Sequence, residues 1–154
     1  MRSVTRHRIR ILFLLLVLIG STGSAWAWPG RVLEIASSQV LVIKTEQEVK
    51  RVSLFGVDSV PKGHPHQAQV QQFIKNELAP LNRVEVVPVQ GHQAHVYIEG
   101  DGQNLAEELI RAGYAWVDRA DCGRRICRFW RSLEAQARQE HRGLWAEPSF
   151  PVGK

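Results

Sequence analysis

A mainly β, α+β fold is predicted for most of this 154-residue chain: a five-stranded barrel with three helices, in the order β-β-β-α-β-β-α-α. Three observations predict it. Five short apolar runs, at 32–35, 40–43, 49–57, 83–89 and 94–98, have the length and the turn-bounded spacing of strands. A helical apolar spacing, Val70, Phe73, Ile74 and Leu78, intervenes after the third run. Two more helical segments follow the fifth. Early antiparallel strands with a helix after the third fit a small closed barrel of the oligonucleotide-binding type.

The elements follow in chain order. The first two runs flank the polar Ala36-Ser37-Ser38-Gln39 and read as a hairpin. The third alternates, with Lys50, Arg51 and Ser53 interspersed among apolar residues. The helix over 66–78 ends at Pro80, which cannot continue it. The fourth and fifth runs are joined by a turn around Gly91. Asn104 is an N-cap residue, and Glu107 three positions on completes a capping-box-like start. Leu105, Leu109 and Ile110 supply the buried face of that helix, and Gly113 stops it. A last helix over 128–141 ends at Gly143, and 148–154 reads as a loose tail.

The N-terminus reads as a targeting segment. Arg2, Arg6, Arg8 and Arg10 form a basic region, 11–19 is apolar, and Ala25-Trp26-Ala27 is a small-x-small cleavage signal before Trp28. The apolar run is short for a bilayer span, so a cleaved signal peptide over 1–27 is expected rather than a retained anchor. Of the 20 basic residues four lie in this segment, leaving 16 against 15 acidic residues and a net charge of +1. Bulk charge therefore gives no argument for nucleic-acid binding. Residues 28–147 are enough for one domain with its own core, and too few for two. An exported protein, periplasmic or secreted, is expected, with no membrane span after cleavage, and a monomer.

Four stretches carry a family resemblance: GRVLEI (30–35), VSLFGVDSVPKG (52–63), NLAEELIRAGYAWV (104–117) and EAQARQEHRGLWAEP (134–148). Their layout resembles the staphylococcal nuclease (thermonuclease-like) domain, over nearly the whole chain beyond the signal. That resemblance implies a calcium-dependent nuclease, with metal carboxylates, a water-positioning glutamate and two arginines for the phosphate. At the matching positions this chain differs. The Asp-Gly-Asp-Thr turn of the family is Ser37-Ser38-Gln39-Val40, which puts Gln39 at a metal carboxylate. In the Arg-x-x-x-x-Asp-x-Pro-Glu stretch, Ser53 stands for the arginine and Asp58 keeps the aspartate. The glutamate position falls on Pro61, or on Lys62 in the alternative register. The Tyr-Gly-Arg turn is Gln90-Gly91-His92, so His92 replaces the second arginine. Calcium needs several hard oxygen ligands, and bidentate guanidinium groups suit a phosphate in a way that one imidazole does not. The expectation is a catalytically degenerate member that binds nucleic acid or a protein partner. The competing expectation is an active metal-dependent phosphodiesterase with a rebuilt site, its metal held by Asp58 with His64, His66 and His92.

Two further groups stand out. Cys122 and Cys127 are five apart, about 140° round a continuous helix, so a disulfide between them needs a turn, which Gly123 provides. Export favours a structural disulfide over metal or redox chemistry. Arg119, Arg124, Arg125, Arg128, Arg131, Arg138 and Arg142 are concentrated near Phe129 and Trp130. Guanidinium beside aromatic surface suits a single-stranded nucleic acid or an acidic polymer, with Arg124, Arg125, Arg128 and Arg131 as the ligand-binding set. The competing reading is a solvated helix face balanced by Asp118, Asp121, Glu134 and Glu140. An envelope protein partner is the other expectation.

Overall fold

The computed structural model describes residues 26–120, 122–123, 125–148 and 150. Residues 1–25 of the expected signal segment lie outside these, as does most of the tail. Among the described residues no helix is long and apolar enough to cross a membrane.

Five strands close a barrel: β1 (Trp28–Ile35), β2 (Val40–Lys44), β3 (Val49–Leu54), β5 (Arg83–Gln90) and β6 (Gln93–Ile98). Their lateral order is β1-β2-β3-β6-β5, with β5 returning to β1. Every pair is antiparallel except β3 with β6, which run parallel through Ser53–Gln93 and Leu54–Ala94 alone. Alternation sends Leu41, Ile43, Val52, Leu54, Val84 and Val86 into the core. The β1–β2 register shifts between Val32 and Glu34, and Leu33 between them is exposed.

Three helices cover the barrel. The first, α1 (Gln67–Leu78), buries Val70, Ile74 and Leu78, and Gln71 Nε2 donates to Ile35 O at 2.8 Å. In α2 (Leu105–Arg111) the Asn104 cap is as the sequence predicts: its side-chain oxygen accepts from the N–H groups of Ala106 and Glu107 at 3.0 and 3.4 Å. Gly113, at φ +79°, ends this helix; a Cβ there would lie 2.3 Å from Arg142 O, so only glycine fits. The last, α3 (Arg125–Gln139), starts three residues earlier than the apolar pattern suggests and buries Trp130 completely. A 3-10 turn, Gly143–Ala146, follows it.

The third run does not continue as one strand to residue 57. It breaks at Phe55-Gly56, where Gly56 has φ +73° and an added Cβ would stand 2.8 Å from Cys122 Sγ. Val57–Asp58 then forms β4, paired with β7 (Trp116–Val117) in a separate two-stranded sheet. Two-residue strands have no period to read, which is why the sequence pattern merges one and passes over the other. The tail also departs from the expectation of looseness at Phe150. Its ring packs edge-on against His64, His66, Trp116 and Trp145.

Cys122 and Cys127 form a disulfide with Cα atoms 5.6 Å apart, Cys122 before α3 and Cys127 within it. The turn demanded by their spacing is thus present. Closing so short a loop contributes about 2 kcal/mol in the chain-entropy account.

Two stability changes are expected. Asn104→Ala removes the cap and leaves helix N–H groups without their acceptor, which costs about 1 kcal/mol and is read as a drop of about 4 °C in melting temperature. Glu77 titrates above the usual carboxylate range, because burial disfavours its charge and Glu108 and Asp101 repel it. A raised folded-state pKa in an acid means stability is lost as pH rises through that window. Glu77→Gln therefore melts higher than the native chain near neutral pH, and the difference closes once the pH falls below the ordinary carboxylate range.

Candidate functional site

Four of the positions singled out in the sequence meet at one rim of the barrel. Val40 and Ser53 are cross-strand partners, and Gln39 O accepts from Leu54 N–H at 2.9 Å. On the other side of β3, Ser53 N–H donates to His92 O at 2.8 Å. The start of β2, the end of β3 and the start of β6 therefore set Gln39, Ser53 and His92 side by side. Asp58 joins them through its side chain, since Gln39 Nε2 donates to Asp58 Oδ1 at 2.6 Å. Pro61 is exposed in the loop that follows, where its carbonyl accepts from His64 N–H at 3.1 Å.

What places Asp58 is a relay from the last helix. Glu134 is a carboxylate only 8% exposed, and its Oε2 accepts from Val117 N–H at 2.9 Å. Its other oxygen accepts from Arg138. Val117 pairs with Val57 and Trp116 with Asp58, so Glu134 holds β7, and β7 holds the strand that carries Asp58. Just beyond, the buried Ser59 hydroxyl donates to Tyr114 O at 2.7 Å. In the sequence Glu134 reads only as a surface counter-charge. Its spacing from Arg138, four residues on a helix, is the ordinary sign of a surface ion pair and conceals the burial.

The histidines do not gather around Asp58. His64 and His66 lie against each other, ring centroids 5.4 Å apart, under Phe150. His66 Nε2 sits 3.1 Å from Glu147 Oε1, while His92 is exposed at the β5–β6 turn. Among the described residues no group of three or more His, Cys, Asp and Glu side chains stands within reach of one ion. Nor does the rim fit calcium, which takes six to eight oxygens with carboxylates among them. Asp58, the rim's carboxylate among the described residues, already accepts a hydrogen bond from an uncharged amide.

The arginines divide into two sets. Arg138 lies 4.2 Å from the centroid of Trp145 and is paired with Glu134, and Arg142 Nη1 donates to Arg111 O at 3.0 Å. Both are tied into the fold. Arg125, Arg128 and Arg131 are exposed on α3 and form no ion pair with a described residue, although Arg131 Nε donates to Cys127 O at 3.2 Å. Phe129 is 50% exposed among them, whereas Trp130 is in the core, with its indole N–H donating to Glu107 Oε2 at 3.3 Å. Arg124 lies outside the described residues.

Residues 51–147 match the family model described as Staphylococcal nuclease homologue. No curated protein matches the chain. The matched span holds Ser53, Asp58, Pro61 and His92. Gln39 lies upstream of it and takes its place at the rim from strand pairing and its bond to Asp58.

Gln39→Asp tests the rim directly. Two carboxylates would then share the place of one amide–carboxylate hydrogen bond, which costs about 1–2 kcal/mol near neutral pH. The loss is expected to disappear in acid, where one carboxyl takes up a proton. Millimolar calcium is expected to raise the melting temperature of this variant and leave that of the native chain unchanged.

Proposed function

The chain belongs to the staphylococcal nuclease homologue family, and we propose that within it this protein is an exported, non-catalytic domain that binds single-stranded nucleic acid. One observation carries the non-catalytic reading: the amide of Gln39 is bonded to Asp58, the carboxylate at the rim among the described residues. A cleavage mechanism on this rim needs a charged metal cradle, a group to align water, and cations to neutralise the phosphate. The rim offers Asp58, Gln39, Ser53, Pro61 and His92. Removing one electrostatic stabiliser costs about 10²–10³ in rate. Such losses do not add simply, but among the described residues of the rim none takes over any of the three roles.

Binding is supported by α3. Arg125, Arg128 and Arg131 present guanidinium groups with no carboxylate partner among the described residues, and Phe129 offers a ring beside them. Guanidinium groups that track phosphates, with an aromatic side chain for a base to stack on, are the usual means of holding a single strand without reading its sequence. A net charge near zero over residues 28–154 means that this local set, not the field of the whole molecule, draws the ligand. The basic, apolar and small-x-small segments at the N-terminus support export, and the disulfide is compatible with it.

The test has two parts. The purified protein is expected to leave single-stranded DNA and RNA uncut with calcium, manganese, zinc or chelator. Metal-dependent cleavage abolished by Asp58→Ala would overturn the non-catalytic reading. Binding of a labelled oligothymidylate is expected to weaken with added salt, with a logarithmic slope of about −2 for three phosphate contacts. Arg125→Glu, Arg128→Glu and Arg131→Glu together should abolish it. No binding at low salt would refute nucleic acid as the ligand and leave an envelope protein as the partner to seek.

A further inference from the structure

Where β3 and β6 part, the barrel wall opens into a groove of about 550 Å³. The two strands pair only through Ser53–Gln93 and Leu54–Ala94, while β3 extends back to Val49. Leu54 N–H points across to Gln39 O and Ser53 N–H points the other way, to His92 O. Alternation along the strand then turns the backbone of Val52 and Lys50 toward β2, and that of Arg51 and Val49 toward the groove. Arg51 and Val49 face Val42 and Lys44 of β2 across the strand pair, and on the groove side β6, which pairs only with Ser53 and Leu54, does not reach them.

The side chains complete the site. Trp28, Val86 and Pro88 give it an apolar floor. The Lys50 ammonium stands 5.3 Å over the Trp28 ring and 2.9 Å from Glu48 Oε1. Arg51 and His92 line the rim. An apolar floor with a few convergent donors, in a volume of this size, is the usual constitution of a small-molecule site, and the mouths of β-barrels are a usual place for one.

We propose that this groove binds a small organic carboxylate with an apolar body of one or two rings. The carboxylate takes the place of the exposed Glu48 at Lys50, within reach of the groove-facing N–H groups of β3, and the rings lie on Trp28 and Pro88. Lys50 supplies the charge-assisted bond, which is about twice as strong as a neutral one. The site is separate from the α3 surface and does not depend on nucleic-acid binding.

1-Naphthoate is the probe, followed by amide NMR of the purified protein. It is expected to shift the Val49 and Arg51 amides and the Trp28 indole N–H saturably, while naphthalene-1-methanol and acetate bind at least about tenfold more weakly. Lys50→Gln should weaken 1-naphthoate about tenfold at an unchanged melting temperature. The triple charge reversal on α3 should leave its binding intact. Equal binding of the alcohol, an undiminished affinity in Lys50→Gln, or shifts away from these residues would each overturn the proposal. An unbound 1-naphthoate would do so too.

Discussion

Closure of the barrel rests on a parallel contact only two residue pairs long, Ser53–Gln93 and Leu54–Ala94. All other neighbouring strands of the barrel pair antiparallel over longer stretches. This short seam has two consequences. It brings the end of β3 against the start of β6, so Ser53 and His92, 39 positions apart in the chain, become backbone neighbours. It also releases the rest of β3 from β6, which leaves the backbone of Val49 and Arg51 beside an open groove. One constraint therefore creates both the rim and the groove.

The rim is held from outside the barrel as well. A buried carboxylate is costly unless its oxygens are bonded, and Glu134 meets this with Val117 N–H and the Arg138 guanidinium. In doing so it ties α3 to the two-stranded sheet β4–β7, and through that sheet to Asp58. The disulfide and Gly56 belong to the same region, since Cys122 packs where a side chain at residue 56 would have to go. Trp130 sits behind them, its indole hydrogen-bonded to Glu107 on α2. The scaffold that aligns Asp58 thus joins α3, the β4–β7 sheet, the disulfide and Trp130.

The scaffold and the rim draw on different residues. Fold stability draws on the apolar faces of the strands and helices, whereas hydrolysis of a phosphodiester draws on a few charged side chains at one edge. The edge can change without cost to the core. Exposed Arg125, Arg128 and Arg131 carry charge elsewhere, on a helix whose opposite face is packed by Cys127, Trp130 and Leu133.

Much of this was legible in the sequence, because it depends on residues a few positions apart. The apolar runs of β2 and β6, the alternation of β3, the helical spacing of Val70, Ile74 and Leu78, the Asn104 cap and the turn that lets Cys122 meet Cys127 are all local chemistry. The order of strands and helices followed from them. Tertiary structure alone decided the rest. It set the break at Phe55-Gly56 and the β4–β7 pair, because strands of two residues have no period. It buried Glu134, whose i,i+4 partner suggests a surface charge, and chose Trp130 over Phe129 for the core. It drew His64 and His66 to Phe150 and Glu147 and away from Asp58, which no local spacing foretells. Each of these outcomes depends on which distant segment arrives alongside, and a chain records that only through the packing of its whole core.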